Sequence, residues 1–262
     1  MKYKIAEDAR PQIKLLLIAT IITIALWFIP YADFLVYPIR LFVTFIHEGS
    51  HALAALLTGS SVQSLTVSTD GSGMVQTAST GWLSALITSS AGYLGTTAFG
   101  VLLLLLIRRA ISARIVLAVS GAFVGLMTIL FGLFSPIWNL LSVDVSFGSL
   151  AFTVISGAVL TVGLMAIARY ASARTAQFVM SFLAVQCVLN ALSDLKTLFF
   201  INAPFAGSHI HSDAANMAAA TGLPAIAWVL IWIVISVVMI SVGLRVYAVS
   251  QKSKHQDLPF AD

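Results

Sequence analysis

Seven apolar stretches follow one another along this chain, at about residues 13–30, 41–58, 82–107, 115–134, 148–168, 175–201 and 222–246. Each is close to the roughly 20 residues that a helix needs to cross the hydrocarbon core of a bilayer. Together they occupy most of the 262 residues and leave no room for a soluble domain of any size. Charged residues make up 9% of the chain, whereas a soluble domain carries about 25%. So few charges cannot build a hydrated surface, and the solvent for most of the chain must be lipid. The pattern predicts an all-α polytopic membrane protein with six to seven transmembrane helices, organised as one domain over residues 1–262.

The formal charge of +4 does not point to nucleic acid. Basic residues such as Arg108, Arg109, Arg114, Arg169 and Arg174 sit in short connections, where cytoplasmic loops of membrane proteins carry them. No basic run is long enough to neutralise several phosphates. Cys187 is the only cysteine, which excludes an intrachain disulfide and a thiolate zinc cluster. The first apolar stretch follows a basic lead-in (Lys2, Lys4, Arg10, Lys14) and reads as a retained anchor, because no small-residue cleavage site comes after it.

Two connections break the rhythm. Residues 60–80 alternate apolar and polar positions around Asp70-Gly71-Ser72-Gly73, which predicts a small membrane-adjacent β-hairpin near 62–77. Residues 202–221 gather Pro204, Gly207, His209, His211 and Asp213, a dense polar group for so apolar a chain. With seven crossings both connections fall on one face. Loop charges leave the orientation of that face open, because the basic N-terminus opposes the larger group of loop arginines.

The second apolar stretch carries chemistry. His47, Glu48 and His51 spell His-Glu-x-x-His. On a helix, residues four apart share a face about 6 Å apart along the axis, so two imidazoles there can hold one metal ion. Glu48 can then reach a water at the ion as general base. With five His and two Glu in the chain, the motif would arise in roughly one of a thousand shuffles of this composition. A purely structural polar cluster would also have to offset the cost of three ionisable side chains at membrane depth, several kcal/mol each. A catalytic zinc needs a third protein ligand. Asp194 shares a helical face with Asn190, and Asp213 follows Ser212 at the start of a short helix, so either Asp is a candidate. A pairing of Asp194 with Lys196, or a helix-capping role for Asp213, are the competing structural readings.

The chain resembles the site-2 proteases, intramembrane zinc metalloproteases, and especially their short bacterial and plant relatives. The resemblance rests on His47-Glu48-x-x-His51 in a membrane helix, the Ala52–Gly59 continuation and the hairpin segment with Gly71-Ser72-Gly73. The small-residue stretch Ser90–Gly95 and a late Asn/Asp-bearing region add to it. It implies a zinc metalloendopeptidase in a bacterial plasma membrane that hydrolyses transmembrane proteins or peptides, with the hairpin pairing to an extended substrate. It also implies Zn2+ as cofactor and ligands His47, His51 and one Asp. Glu48 would be the base, and Asn190 a donor to the developing oxyanion. The chain departs from the family at three points. Asn190-Ala-Leu-Ser193 replaces the family's Asn-x-x-Pro, Asp213 is followed by Ala rather than Gly, and Ser90–Gly95 lacks the Pro and Asn of an Ala-Gly-Pro-type segment. If the loop before it is an insertion, Asp213 corresponds to the family's ligand, and the short helix ending at Thr221-Gly222 favours it slightly over Asp194. Two other classes fit the same residues: an ion or proton transporter, and a catalytically inactive relative that serves as a membrane scaffold. The oligomeric state is not legible in the sequence.

Overall fold

The computed structural model describes residues 10–26, 29, 33–78, 80–109, 111–139, 145–202 and 212–248. Pro204, Gly207, His209 and His211 lie outside the described residues.

Each of the seven apolar stretches holds a helix among its described residues. They form α1 (Arg10–Leu26), α2 (Asp33–Leu57), α3 (Trp82–Arg108), a rod over Ala113–Trp138, α6 (Phe147–Tyr170), α7 (Ala173–Asn202) and α9 (Ala225–Ala248). The rod is built from α4 (Ala113–Met127), a π-helical stretch (Thr128–Phe134) and the short α5 (Ser135–Trp138). A short helix, α8 (Asp213–Thr221), follows the connection after α7. Five of these, α3, the rod, α6, α7 and α9, are long and apolar enough to cross a membrane. The described part of α1, at 17 residues, falls short of a full crossing, and Arg40, His47, Glu48 and His51 interrupt the apolar run of α2.

Burial and hydropathy are opposed at the two extremes, as lipid solvation requires. The most apolar span, α9, has the smallest share of its length inside the protein, and the least apolar, α7, has the largest. In water the most apolar helix would be the most buried. Here α3 and α7 form the centre of the bundle, and α9 and α6 turn large side chains such as Val159, Val162, Val234 and Val242 outward. This is an integral membrane protein.

Gly59 ends α2 in the left-handed conformation, with φ of 77°. The Ser60 N–H reaches back to Ala55 O at 2.8 Å, a Schellman-type closure. The chain then reverses into β1 (Ser61–Val67), paired antiparallel with β2 (Gly73–Ala78). The extra residue near Gln63 makes a bulge between Val62 and Ser64. At the tip, Gly71 has φ of 83°, and its N–H bonds Ser68 O at 2.9 Å. This is the three-residue loop with a left-handed glycine, rather than a two-residue Asp-Gly turn. Asp70 Oδ1 accepts from Ser72 N and Oγ at 2.9 and 2.6 Å, and these bonds hold the carboxyl below the ordinary aspartate range.

The hairpin does not project away from the helices. It runs back along α2: Tyr37 Oη donates to Thr69 O at 2.6 Å and Thr44 Oγ1 to Gly71 O at 2.8 Å. Val62, Leu65 and Val67 are buried in the main core with Phe42, Phe45, Val124 and Phe131. The free edge of β1 is sealed by side chains. Thr153 Oγ1 on α6 accepts from Val67 N at 2.7 Å, and Ser135 Oγ donates to Val62 O at 2.6 Å. Among the described residues, the other edge of β2 has no strand beside it.

Candidate metal centre

Helix α2 presents the motif inward. His51 and Glu48 are 6% and 5% exposed, and His47 is partly buried beside them. The two Nε2 atoms lie 3.1 Å apart, so both rings aim the same nitrogen at one point. The opposite nitrogen of His51, Nδ1, is 2.6 Å from Thr88 O on α3. A carbonyl can only accept, so Nδ1 carries the proton and Nε2 keeps its lone pair for a metal.

Helix α8 supplies the third group. Ser212 caps it, with Oγ accepting from Ala215 N at 3.3 Å. Ser212 therefore does the capping, and Asp213 in the first turn is left to reach the histidines. Asp213 Oδ2 is 3.3 Å from His51 Nε2 and 3.8 Å from His47 Nε2. A tetrahedral zinc with ligand bonds near 2.0–2.1 Å sets its ligand atoms about 3.3 Å apart. The spacings of 3.1, 3.3 and 3.8 Å are of that size, and the donor set of two imidazoles and one carboxylate suits a catalytic zinc with an open position. Among the described residues, His47, His51 and Asp213 form a group able to hold a metal ion.

Two glycines make room for this arrangement. A Cβ on Gly92 of α3 would press on Nε2 of both His47 and His51, in the space an ion would take. A Cβ on Gly73, the first residue of β2, would lie 2.5 Å from Glu48 Cγ and Oε1. The open strand thus begins directly against the Glu48 carboxylate.

The remaining predicted residues lie on α7. Among the described residues, Asp194 is not in the group of His47, His51 and Asp213. Its side chain is exposed, within electrostatic reach of His47 and Arg40, and it forms no ion pair with Lys196 among the described residues. Asn190 stands one turn earlier, and its Nδ2 donates to Gln186 O and Oε1 at 2.9 and 3.2 Å. Gln186 in turn bonds Thr23 of α1.

From the sequence alone, three neighbours of the motif carried no individual site role: Gly92 and Tyr93 lie inside the Ser90–Gly95 stretch, and Gly73 closes the Asp70-Gly71-Ser72-Gly73 turn. The Tyr93 ring meets the His47 imidazole edge-on, with centroids 4.7 Å apart. The available signal was a lone aromatic phenol among small residues, at the point where the chain departs from an Ala-Gly-Pro pattern.

A family model described as Peptidase M50B-like matches residues 17–243, which takes in the motif, the hairpin and Asp213. No curated protein and no solved structure matches the chain. The match covers most of the 262 residues, and the chain belongs to the peptidase M50B-like family, as its resemblance to the site-2 proteases implied.

Proposed function

We propose that this protein is an intramembrane zinc metallopeptidase that hydrolyses peptide bonds of transmembrane proteins or peptides. The observation that carries the reading is the meeting of three things at one place. Three ligand atoms have zinc-like spacing, a glutamate adjoins them, and an unpaired strand starts against that glutamate.

His47, His51 and Asp213 would hold the ion. A zinc ion there supplies Lewis acidity and makes an attached water acidic enough to ionise near neutral pH. The residues of the chain do the rest. Glu48 takes a proton from the attacking water and returns it to the leaving amine. Thr88 O keeps His51 in the ligating tautomer. A helical substrate buries its carbonyls in its own hydrogen bonds, so the peptide must be extended before water can reach one. The free edge of β2 offers main-chain donors and acceptors for this, while Thr153 and Ser135 occupy the edge of β1. Resemblance to the short bacterial members supports a bacterial plasma membrane as the setting.

The test is cleavage of a tagged transmembrane reporter by the purified protein in nanodiscs, with metal content measured on the same sample. Glu48→Gln retains about one zinc per chain and loses cleavage by at least a thousandfold. If Glu48→Gln cleaves like wild type, Glu48 is not the base. A folded wild type that binds no zinc removes the peptidase reading altogether.

A further inference from the structure

The Tyr93 phenol has no part in the chemistry above, yet its surroundings are those of the site. It follows Gly92 on α3 and packs edge-on against His47, with ring planes 86° apart. Its ring also stacks on Trp232 of α9, with centroids 5.3 Å apart and planes 23° from parallel. The Trp232 indole is itself fixed, its Nε1–H donating to Ser90 Oγ at 3.1 Å. The Tyr93 ring is thus held between α2 and α9.

Its hydroxyl lies within electrostatic reach of Glu48, Asp213 and Asp194. Among the described residues it makes no hydrogen bond. A phenol is protonated at neutral pH and can donate one. Hydrolysis of an amide builds negative charge on the carbonyl oxygen, and a fixed donor aimed at that oxygen is worth most in a site shielded from water. The sequence offered Asn190 for this task, but the Asn190 amide is spent on Gln186.

We propose that Tyr93 is a catalytic residue of this site, its O–H donating to the scissile carbonyl oxygen as the carbon becomes tetrahedral; this rests on the peptidase reading. No bond to Tyr93 forms or breaks. The water oxygen adds to the carbonyl carbon, and one water proton passes through Glu48 to the amine nitrogen as the C–N bond breaks. The other stays on the new carboxyl group, and the phenol keeps its own proton.

Tyr93→Phe keeps the ring, its stack on Trp232 and its contact with His47, and removes only the donor. The test measures zinc content, kcat and KM on the transmembrane reporter, and the affinity of two inhibitors. One is a phosphinic pseudopeptide, whose tetrahedral oxygens resemble the adduct. The other is acetohydroxamate, a small metal-directed ligand. In Tyr93→Phe, kcat falls roughly a hundred- to a thousandfold with KM and zinc little changed, as for loss of an oxyanion donor. The phosphinate weakens by a similar factor while acetohydroxamate does not. A Tyr93→Phe variant within threefold of wild type on kcat, or one that loses zinc along with activity, overturns the inference while leaving the peptidase reading in place. A wild type that neither cleaves the reporter nor binds the phosphinate overturns both.

Discussion

Gly92 and Gly73 reach the motif from two different elements, and each excludes a side chain for a different reason. A methyl group at 92 would fall against Nε2 of both His47 and His51, whereas one at 73 would fall against the Glu48 carboxylate. The two substitutions therefore separate metal binding from proton transfer. Gly92→Ala is expected to lower zinc content well below one per chain and to abolish cleavage with it. Gly73→Ala is expected to keep zinc and lose about tenfold or more in kcat, because the base is pushed off its position. Metal analysis and reporter kinetics on the same preparations check both, and zinc-replete, active Gly92→Ala would refute the close approach. At this scale the sequence was legible only where function is local. His47, Glu48 and His51 lie within two helical turns, so spacing alone put them on one face. The choice between Asp194 and Asp213 depended on a contact across more than 160 residues, which no spacing rule reaches. The glycines were visible as small residues, but nothing local said what would press against them.

In the proposed reaction the hairpin is the element that would handle substrate, and its anchoring is unequal on its two edges. Thr153 is fully buried, and its Oγ1 accepts from Val67 N at 2.7 Å. Thr153→Val keeps the shape and leaves that buried N–H without an acceptor, at a cost of about 1–3 kcal/mol. The expected outcome is a lower thermal midpoint and a higher KM for the reporter, with zinc content unchanged; an unaltered KM would disconnect the seam from substrate binding. Turn chemistry made the hairpin predictable, since Asp70-Gly71 between β-prone runs has few other uses. Its path was not predictable. That it folds back along α2 follows from Tyr37 and Thr44 meeting the carbonyls of Thr69 and Gly71, pairings that exist only once the helix is formed. The π-helical stretch beside β1 had no sequence signature either.

For the whole molecule, the apolar runs foretold where the helices lie, because lipid leaves the backbone no other way to satisfy its hydrogen bonds, although α2 begins at Asp33, well before its run at 41. What they could not give is how the N-terminal and C-terminal parts of the bundle are joined at its functional centre. The Asp213 carboxylate is that joint. It sits on α8, which is tied to α9 through Trp228 Nε1 donating to Thr221 Oγ1 at 3.0 Å, and it faces histidines of α2. An ion held there cross-links positions 47, 51 and 213, and it binds the folded protein far better than the unfolded one. Free metal at a thousand times its dissociation constant would then stabilise the fold by about 4 kcal/mol. Zinc is therefore expected to raise the thermal midpoint of the detergent-purified, chelator-stripped protein by several degrees. The rise should vanish in Asp213→Ala and persist in Asp194→Ala, because Asp194 stands outside the ligand group. The opposite pattern in a thermal-shift titration would move the third ligand to α7. A rise in neither variant would mean that both carboxylates hold the ion, which the single close approach of Asp213 Oδ2 does not lead one to expect.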